Sequence, residues 1–377
     1  MQMSDTRIQA NLSGDAKAKA PEPILTVTDL VVRFEQDEGV VRALNGVSFV
    51  VPAGRAIGIV GESGCGKTMS AYSILRILPK KAKIVSGTIE LRRADGSTVD
   101  LLKVKSTSRE MRRIRGGEVA MIFQEPMTAF SPVHTICNQI TEAIRLHQGL
   151  DGQAARRRVI ELLGLVGIPD PAGRVDDYPF QLSGGMRQRA MIAMALACRP
   201  RVLIADEPTT ALDVTIQAQV LRLIKKMQAE LGLSLILITH DLGVVAHMVD
   251  YVHVMYLGRV VEEGPVARIF DAPRHPYTRA LLKSIPRLTG NPEKIAPIAG
   301  SVPDPYTLPP GCAFHPRCPH RLAGLCAEKV PQPTTVGPDH RVSCFLYSDE
   351  GREPGTATRE PGTAGTPRET NADHRSG

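Results

Sequence analysis

An α/β layered fold is predicted for this chain of 377 residues, with a helical subdomain inserted between two strands and a small irregular, cysteine-containing extension near the C-terminus. Three observations predict it. Short β-like runs alternate with segments of helical period through the middle of the chain, the pattern of strands joined by helical crossovers. Between Ser131 and Arg199 the helical pattern is nearly continuous. Beyond Pro265 regular patterning gives way to a stretch in which Pro303, Pro305, Pro309, Pro310, Pro316 and Pro319 break helix and strand alike, so a small, separately stabilised appendix is expected there.

Taken in order, Met1–Ala20 is short and polar and is expected to be disordered. The strand runs are Ile24–Phe34, Val40–Val51, Ala56–Val60, Val119–Phe123, Val202–Ala205 and Leu233–Thr239. Helical period is clearest over Thr215–Leu231, where Val220, Leu221, Ile224, Met227 and Leu231 share a face that Arg222, Lys225, Lys226 and Glu230 avoid. That stripe is core, not a ligand box. From Gly351 the chain repeats Arg-Glu-Pro-Gly-Thr-like phrases with no apolar pattern, and a disordered tail over 349–377 is expected.

Composition narrows the function classes. With 42% hydrophobic residues the chain can bury one large core or two modest ones. No run of eighteen apolar residues suggests a membrane span and Met1–Ala20 lacks the apolar centre of a secretion signal, so the chain is expected in the cytoplasm. A net charge of +7, with Arg109–Arg115 and Arg156–Arg158 as candidate contact patches, raises nucleic-acid binding. Single-strand binders interleave such charge with stacking aromatics, whereas this chain has 4% aromatics and no Trp. Solvated helix faces, or contact with a membrane surface, account for the charge better. Of seven cysteines, Cys65, Cys137 and Cys198 are scattered while Cys312, Cys318, Cys326 and Cys344 fall together. In a large chain without an export signal this is not a disulfide framework.

The chemistry begins at Gly61-Glu62-Ser63-Gly64-Cys65-Gly66-Lys67-Thr68, which fits the phosphate-binding loop and lies between the strand Ile57–Val60 and a helix predicted over Thr68–Leu78. Its glycines let backbone N–H groups converge on phosphate oxygens, the helix presents its positive end, Lys67 reaches the terminal phosphates and Thr68 offers an oxygen to Mg²⁺. Val202-Leu-Ile-Ala-Asp206-Glu207 sets two carboxylates at the end of an apolar strand, where each needs a partner. Asp206 suits a Mg²⁺-linked acid, with Thr68, and Glu207 a base for an attacking water. The blander alternative is an acidic pair opening a helix before Pro208.

Such a loop alone fits kinases, GTPases, helicases and synthetases equally. Leu182-Ser183-Gly184-Gly185-Met186-Arg187-Gln188-Arg189 decides among them: Ser183 in N-cap position and two glycines make a second anion-binding helix end. It resembles the signature sequence of the ABC ATPases, and the remaining motifs of that family follow in order over about 250 residues. The resemblance implies a P-loop NTPase of ABC type with an N-terminal antiparallel β subdomain, in which the Ser183–Gly185 helix end covers the γ-phosphate of ATP held by a partner subunit. It also implies roles for Phe34 (stacking on adenine), Met69 (beside the loop), Gln124 (sensing Mg²⁺ and the membrane subunit), Asp213 (linking the two sites) and His240 (the switch histidine). Taken singly, Phe34 reads as core as readily, and His240 as a satisfied structural histidine.

Met121-Ile-Phe-Gln-Glu-Pro-Met-Thr-Ala-Phe-Ser-Pro132, Ile238-Thr-His-Asp-Leu-Gly-Val-Val245, His275-Pro-Tyr-Thr-Arg-Ala-Leu-Leu282 and Pro310-Gly-Cys-Ala-Phe-His-Pro-Arg-Cys318 resemble the ATPases of oligopeptide, dipeptide and nickel importers. Phe130 and Ser131 depart from that pattern, where Leu and Asn are usual. The resemblance implies an ATPase domain over 21–270, with a helical subdomain at residues 125–199, an importer-type extension over 271–348, a second ATPase subunit, two transmembrane permease subunits, and an extracytoplasmic substrate-binding protein acting through them, at the cytoplasmic face of the cell membrane. Import of nickel or another solute, or a soluble ABC ATPase, are the alternatives. Five, seven and seventeen residues separate the four C-terminal cysteines. By count they suit tetrahedral zinc or a [4Fe–4S] cluster equally. Structural zinc sites usually pair cysteines more closely, and the resemblance to cluster-bearing peptide-importer ATPases favours the cluster over zinc, for which His315, His320 or His340 could substitute as ligands, and over four free thiols.

Overall fold

The computed structural model describes residues 22–210, 212–284 and 298–351. The expected disordered ends lie outside the described residues, apart from Asp349–Gly351, a single helical turn. Two sheets organise the molecule. The first is antiparallel and contains β1 (Pro23–Gln36), β2 (Gly39–Pro52), β4 (Ala82–Arg92) and β5 (Thr98–Asp100) in the order β2-β1-β4-β5. The second comprises β3 (Ala56–Val60), β6 (Val119–Ile122), β7 (Val202–Asp206), β8 (Ser234–Thr239), β9 (Tyr251–Tyr256), β10 (Arg259–Pro265), β11 (Thr334–Gly337) and β12 (His340–Val342). Its order is β11-β12-β10-β9-β3-β8-β7-β6, parallel from β9 to β6 and antiparallel beyond.

The parallel strands are buried on both faces, as crossover sheets must be. Side-chain alternation sends Ile57, Ile59, Val202, Ile204, Ile236 and Ile238 into one core, with β1, β2 and β4, and Ala56, Val60, Leu203, Ala205, Leu235 and Leu237 into the other, with most of the helices. The helices are α1 (Lys67–Leu75), α2 (Arg109–Gly117), α3 (Pro126–Ala129), α4 (Ile136–Gln148), α5 (Gly152–Leu165), α6 (Pro171–Arg174), α7 (Gly184–Leu196), α8 (Val214–Leu231), α9 (Leu242–Met248), α10 (Val266–Asp271), α11 (Pro276–Lys283) and α12 (Leu325–Glu328); α1 and α2 bury Ala71, Ile74, Leu75, Met111 and Ile114 in the first core. Helices α3 to α7 intervene between β6 and β7, which pair directly. α8 buries Val220, Ile224 and Met227 of its predicted stripe, while Leu221 is partly buried and Leu231 exposed.

The six predicted strand runs coincide with β1, β2, β3, β6, β7 and β8. The hairpin β9–β10 was not anticipated. Its two-residue loop, Leu257 (φ 42°) and Gly258 (φ 75°), takes positive φ at both positions, which suits the twist of a tight hairpin, but Leu-Gly lacks the Asn-Gly or Asp-Gly signal by which such turns are recognised.

The extension corrects one expectation: it is not a separately stabilised appendix. β12 adds to β10, pairing Glu262 with Val342 and Glu263 with Arg341. Two buried carboxylates fix the register. Glu262 accepts from the N–H groups of Arg274 (2.7 Å) and His275 (2.8 Å), and its Oε1 lies 2.8 Å from His340 Nε2. Glu263 bonds to His253 (2.9 Å) and to Arg341. Burial alone would raise Glu262, yet these partners more than offset it and hold the carboxyl below its ordinary range. Phe314, 1% exposed, belongs to the same core as the sheet's helices and meets Tyr256 edge-on at 5.3 Å and Tyr277 at 5.4 Å.

Phe314→Ala is therefore expected to destabilise the whole chain by about 3 kcal/mol, shifting the main cooperative transition in urea unfolding followed by circular dichroism. A main transition at the wild-type midpoint would mean that the extension folds independently.

Candidate functional site

The site is built at the carboxyl ends of β3, β7 and β8, where strands deliver loops to helix starts. β3 runs into the loop 61–66. Gly61 (φ 152°) and Gly66 (φ 103°) are required there: a Cβ would come within 2.2 Å of Met255 O at the first and 2.5 Å of Ala43 O at the second. Gly66 is the N-cap of α1, which begins at Lys67 and ends at Leu75, shorter than predicted because Arg76 takes a left-handed C-cap conformation (φ 54°). Lys67 is 6% exposed, and its ammonium donates to the carbonyls of Gly61 (2.8 Å) and Glu62 (3.1 Å). Cys65 lies beneath, 3% exposed, its thiol raised chiefly by burial. Ser63 and Gly64 are exposed; Met69 is half-buried and packs on the β-sheet core.

β7 ends in the carboxylate pair. Asp206 is fully buried; Thr68 Oγ1 donates to its Oδ1 at 3.2 Å, and its Oδ2 has no hydrogen-bond partner among the described residues. Burial pushes its carboxyl up to about 6, with the Thr68 bond opposing and Glu207 adding to the rise. Glu207 follows in a left-handed conformation (φ 44°), uncommon for a residue with a side chain. Its carboxylate gathers three groups from three loops: Gln124 Nε2 at 3.0 Å, Thr210 Oγ1 at 2.9 Å and His240 Nδ1 at 3.2 Å. Lys67, Thr68, Asp206, Glu207, Gln124 and His240, far apart in sequence, thus meet around one carboxylate pair.

Other expected residues sit further out. Ser183 caps α7, accepting from Met186 N–H at 3.3 Å, and Gly184 is exposed with open space where a side chain would project. Gly185 abuts Ile216 of α8, a Cβ there falling 3.1 Å from its methyl. Asp213 caps α8 by accepting from the N–H groups of Thr215 and Ile216. Phe34 is half-buried on β1, paired with Val41 and Ala82. Phe130 is buried in the helical core, and the backbone of Ser131 is pinned to Gln139 by two bonds.

Sequence reasoning missed Thr210, three residues beyond Glu207, as well as Arg317 and Tyr277, which bond to Glu62 from the extension. Proximity to the acidic pair could have flagged Thr210; 255 residues separate Arg317 from Glu62, and no local pattern signals that.

The four C-terminal cysteines occupy one neighbourhood, Cys326 and Cys344 buried and Cys312 and Cys318 half-buried. Burial pushes the thiols of Cys312 to about 11 and Cys344 to about 12, and their neighbours in the quartet add to the rise. The expectation of thiolates converged on one ion is not met: among the described residues no three His, Cys, Asp or Glu side chains form a group that could hold a metal. His340 is engaged by Glu262, and His315 Nδ1 lies 3.0 Å from Cys312 O. The ATP site does fit a divalent cation, because the orphaned buried Asp206 Oδ2 lies beside the Thr68 hydroxyl.

Residues 44–210 match the family model described as ABC transporter, and residues 261–326 match the oligopeptide/dipeptide transporter C-terminal region. The chain is 48% identical over 91% of its length to a probable peptide ABC transporter ATP-binding protein, y4tR, of Sinorhizobium fredii, covering 98% of that protein. The chain belongs to the ATP-binding proteins of ABC transporters. This ABC ATPase is also 48% identical, over 86% of its length and 95% of the relative's, to the dipeptide transport ATP-binding protein DppD of Bacillus subtilis. Its fold resembles the dimeric post-hydrolysis state of the ATP-binding cassette MJ0796 bound to ADP and Pi (TM-score 0.56, 25% identity, 64% of this chain and 98% of that one). As a member of the family it hydrolyses ATP. Among the described residues no helix is long and apolar enough to cross a membrane.

Because Asp206 holds its proton more tightly folded than unfolded, its ionisation destabilises the nucleotide-free fold; the loss begins near its unfolded pKa of about 4 and is complete above its folded value of about 6. Asp206→Asn is expected to stabilise the nucleotide-free ABC ATPase by about 3 kcal/mol at pH 7, with the gain fading below about pH 4. Urea denaturation at both pH values checks this; wild-type protein as stable as the variant at pH 7 contradicts it.

Proposed function

We propose that this chain powers a membrane importer of oligopeptides or dipeptides by ATP hydrolysis at the site formed by residues 61–68, 206–207, 124 and 240. The convergence of Gln124, Thr210 and His240 on Glu207, beside Asp206 and Thr68, carries this reading of the chemistry. Peptide cargo is supported by the names of the relatives at 48% identity and by the match of the C-terminal region.

Glu207 is the base that takes a proton from the attacking water, and Gln124 and His240 hold its carboxylate toward that water. Lys67 and the loop N–H groups, from Gly61 to Thr68, bind the phosphates. Mg²⁺ held by Thr68, Asp206 and Gln124 would supply the positive charge that phosphoryl transfer needs. Phe34 stacks on the adenine. Ser183, Gly184 and Gly185 act on ATP held by a second ATPase subunit, and Asp213 links the two sites; the exposed, open backbone at Gly184 supports a role across an interface. Two transmembrane permease subunits, served by an extracytoplasmic substrate-binding protein, complete the assembly, with this chain at the cytoplasmic face of the membrane. Exposed Met127 and Val133, in the segment after Gln124, support a contact there.

For the cysteine quartet we propose a [4Fe–4S] cluster, with zinc as its competitor. Two buried and two half-buried thiols in mutual electrostatic reach support it; loading requires the sulfurs to draw together and lose protons. Iron, sulfide and zinc analysis of anaerobically purified protein decides it: about four iron atoms per chain are expected, and colourless protein with neither iron nor zinc would remove the site.

Glu207→Gln is expected to bind ATP yet hydrolyse it at least about 100-fold more slowly, whereas Lys67→Ala loses nucleotide affinity. Steady-state turnover and calorimetric binding separate the two; hydrolysis within a few-fold of wild type in Glu207→Gln would mean the base is misassigned. The isolated chain should also be a poor ATPase whose specific activity rises with concentration, and full turnover by a demonstrated monomer would refute action across a dimer.

A further inference from the structure

Resting on the reading of residues 61–68 as the phosphate loop, we infer that Arg317 and Tyr277 are positioning residues for it, holding Glu62 from the C-terminal extension so that the loop can accept a polyphosphate. Glu62 is a carboxylate in the loop's second position, next to the place where several negative charges must bind. Left free, it would repel them. Arg317 prevents this with a two-pronged pair: Nη1 donates to Glu62 Oε2 at 2.8 Å and Nη2 to Oε1 at 3.2 Å.

The guanidinium is built into place. Its side chain is 4% exposed, against 24% for Glu62. Nη1 also reaches Tyr256 Oη at 3.3 Å, Nε donates to Ala299 O at 3.1 Å and Nη2 to Ile298 O at 3.3 Å. The rings of Tyr256 and Phe314 each lie 5.9 Å from its central carbon. A buried, bidentate charge pair of this kind is among the stronger polar contacts a protein makes.

Tyr277 takes the other half of the same residue. It is fully buried at the start of α11, and its hydroxyl accepts the Glu62 backbone N–H at 2.9 Å. Tyr256 and Tyr277 pack together at 4.7 Å, so the two holds share one aromatic base. The backbone and the side chain of Glu62 are thus both fixed by the extension and its aromatic seat. Neighbouring Gly61 and Glu62 carbonyls accept from Lys67, so a shift of Glu62 would also misplace that lysine.

The test uses the full chain, MgADP binding by calorimetry, and KM and kcat for ATP. Arg317→Ala is expected to weaken MgADP binding and raise KM about tenfold while kcat at saturation stays within about twofold, and Arg317→Lys to fall between. Because the defect comes from an unneutralised carboxylate, Glu62→Gln should abolish most of it: the double variant binds within about threefold of Glu62→Gln alone. A merely structural role for Arg317 would not give that rescue. Folded Arg317→Ala with wild-type affinity, or an equal loss in the Glu62→Gln background, overturns the proposal. Should Arg317→Ala fail to fold, Tyr277→Phe decides, with weakened binding supporting the proposal and wild-type binding overturning it. Wild-type protein that does not bind MgADP, or Lys67→Ala that binds it normally, would instead sink the reading of the loop itself.

Discussion

Two adjacent carboxylates at the carboxyl end of a buried parallel strand are the constraint around which the nucleotide face is arranged. β7 is buried along its whole length, which gives the sheet its stability but leaves no solvent for Asp206. A single hydroxyl bond from Thr68 does not compensate, so the carboxyl rises toward neutrality and one oxygen stays orphaned. At Glu207 a left-handed turn of the backbone swings the carboxylate outward to Gln124, Thr210 and His240. The strain and the desolvation are both costs to the nucleotide-free fold, and both fall at the site proposed to take ATP and Mg²⁺.

A second carboxylate pair does comparable structural work on β10. Glu262 and Glu263 point to opposite faces because consecutive strand residues must, and each is buried. Glu262 therefore draws in His340 and the start of α11, and Glu263 draws in His253 and Arg341. Breaking one partner from a buried charge costs far more than the pair contributes. The docking of β12 and α11 is consequently specified, and with it the position of Tyr277 under the phosphate loop.

The parts of this molecule legible in the sequence were those whose signals are local. A phosphate loop needs its glycines within a few residues, and an apolar strand such as Val202–Ala205 or Leu233–Thr239 declares itself by burial on both faces. Thr215–Leu231 announced its helix by period. What stayed hidden depends on distant partners. Strands β11 and β12 are too short to show a pattern, at four and three residues; β12 exists because β10 offers an edge, and β11 because β12 then does. Arg317 reads as one more basic residue in a Pro-rich stretch until the fold sets it against Glu62. Ser183, read as an N-cap from its local sequence, does cap α7, while Asp213, read only as a link between two sites, is found capping α8.

The helical insertion is tied to the carboxylate pair by one buried bond. Gln188 is 2% exposed on α7, and its amide donates at 2.5 Å to the carbonyl of Pro208, directly after Glu207. Alongside it, Arg189 donates to Val166 O at 2.6 Å and to Gln219 of α8 at 2.7 Å, and Gly185 packs on Ile216. The helix that begins at Ser183 is thus anchored to the segment leaving β7 and to the start of α8. A buried amide cannot give up its partner without leaving an unsatisfied group, at a cost of about 1–3 kcal/mol. A displacement of α7 that carries Gln188 with it must therefore draw residues 207–210 along and reach Thr210 and Glu207, whereas a pivot of the Ser183–Gly185 end about Gln188 keeps the bond and leaves the carboxylate where it is.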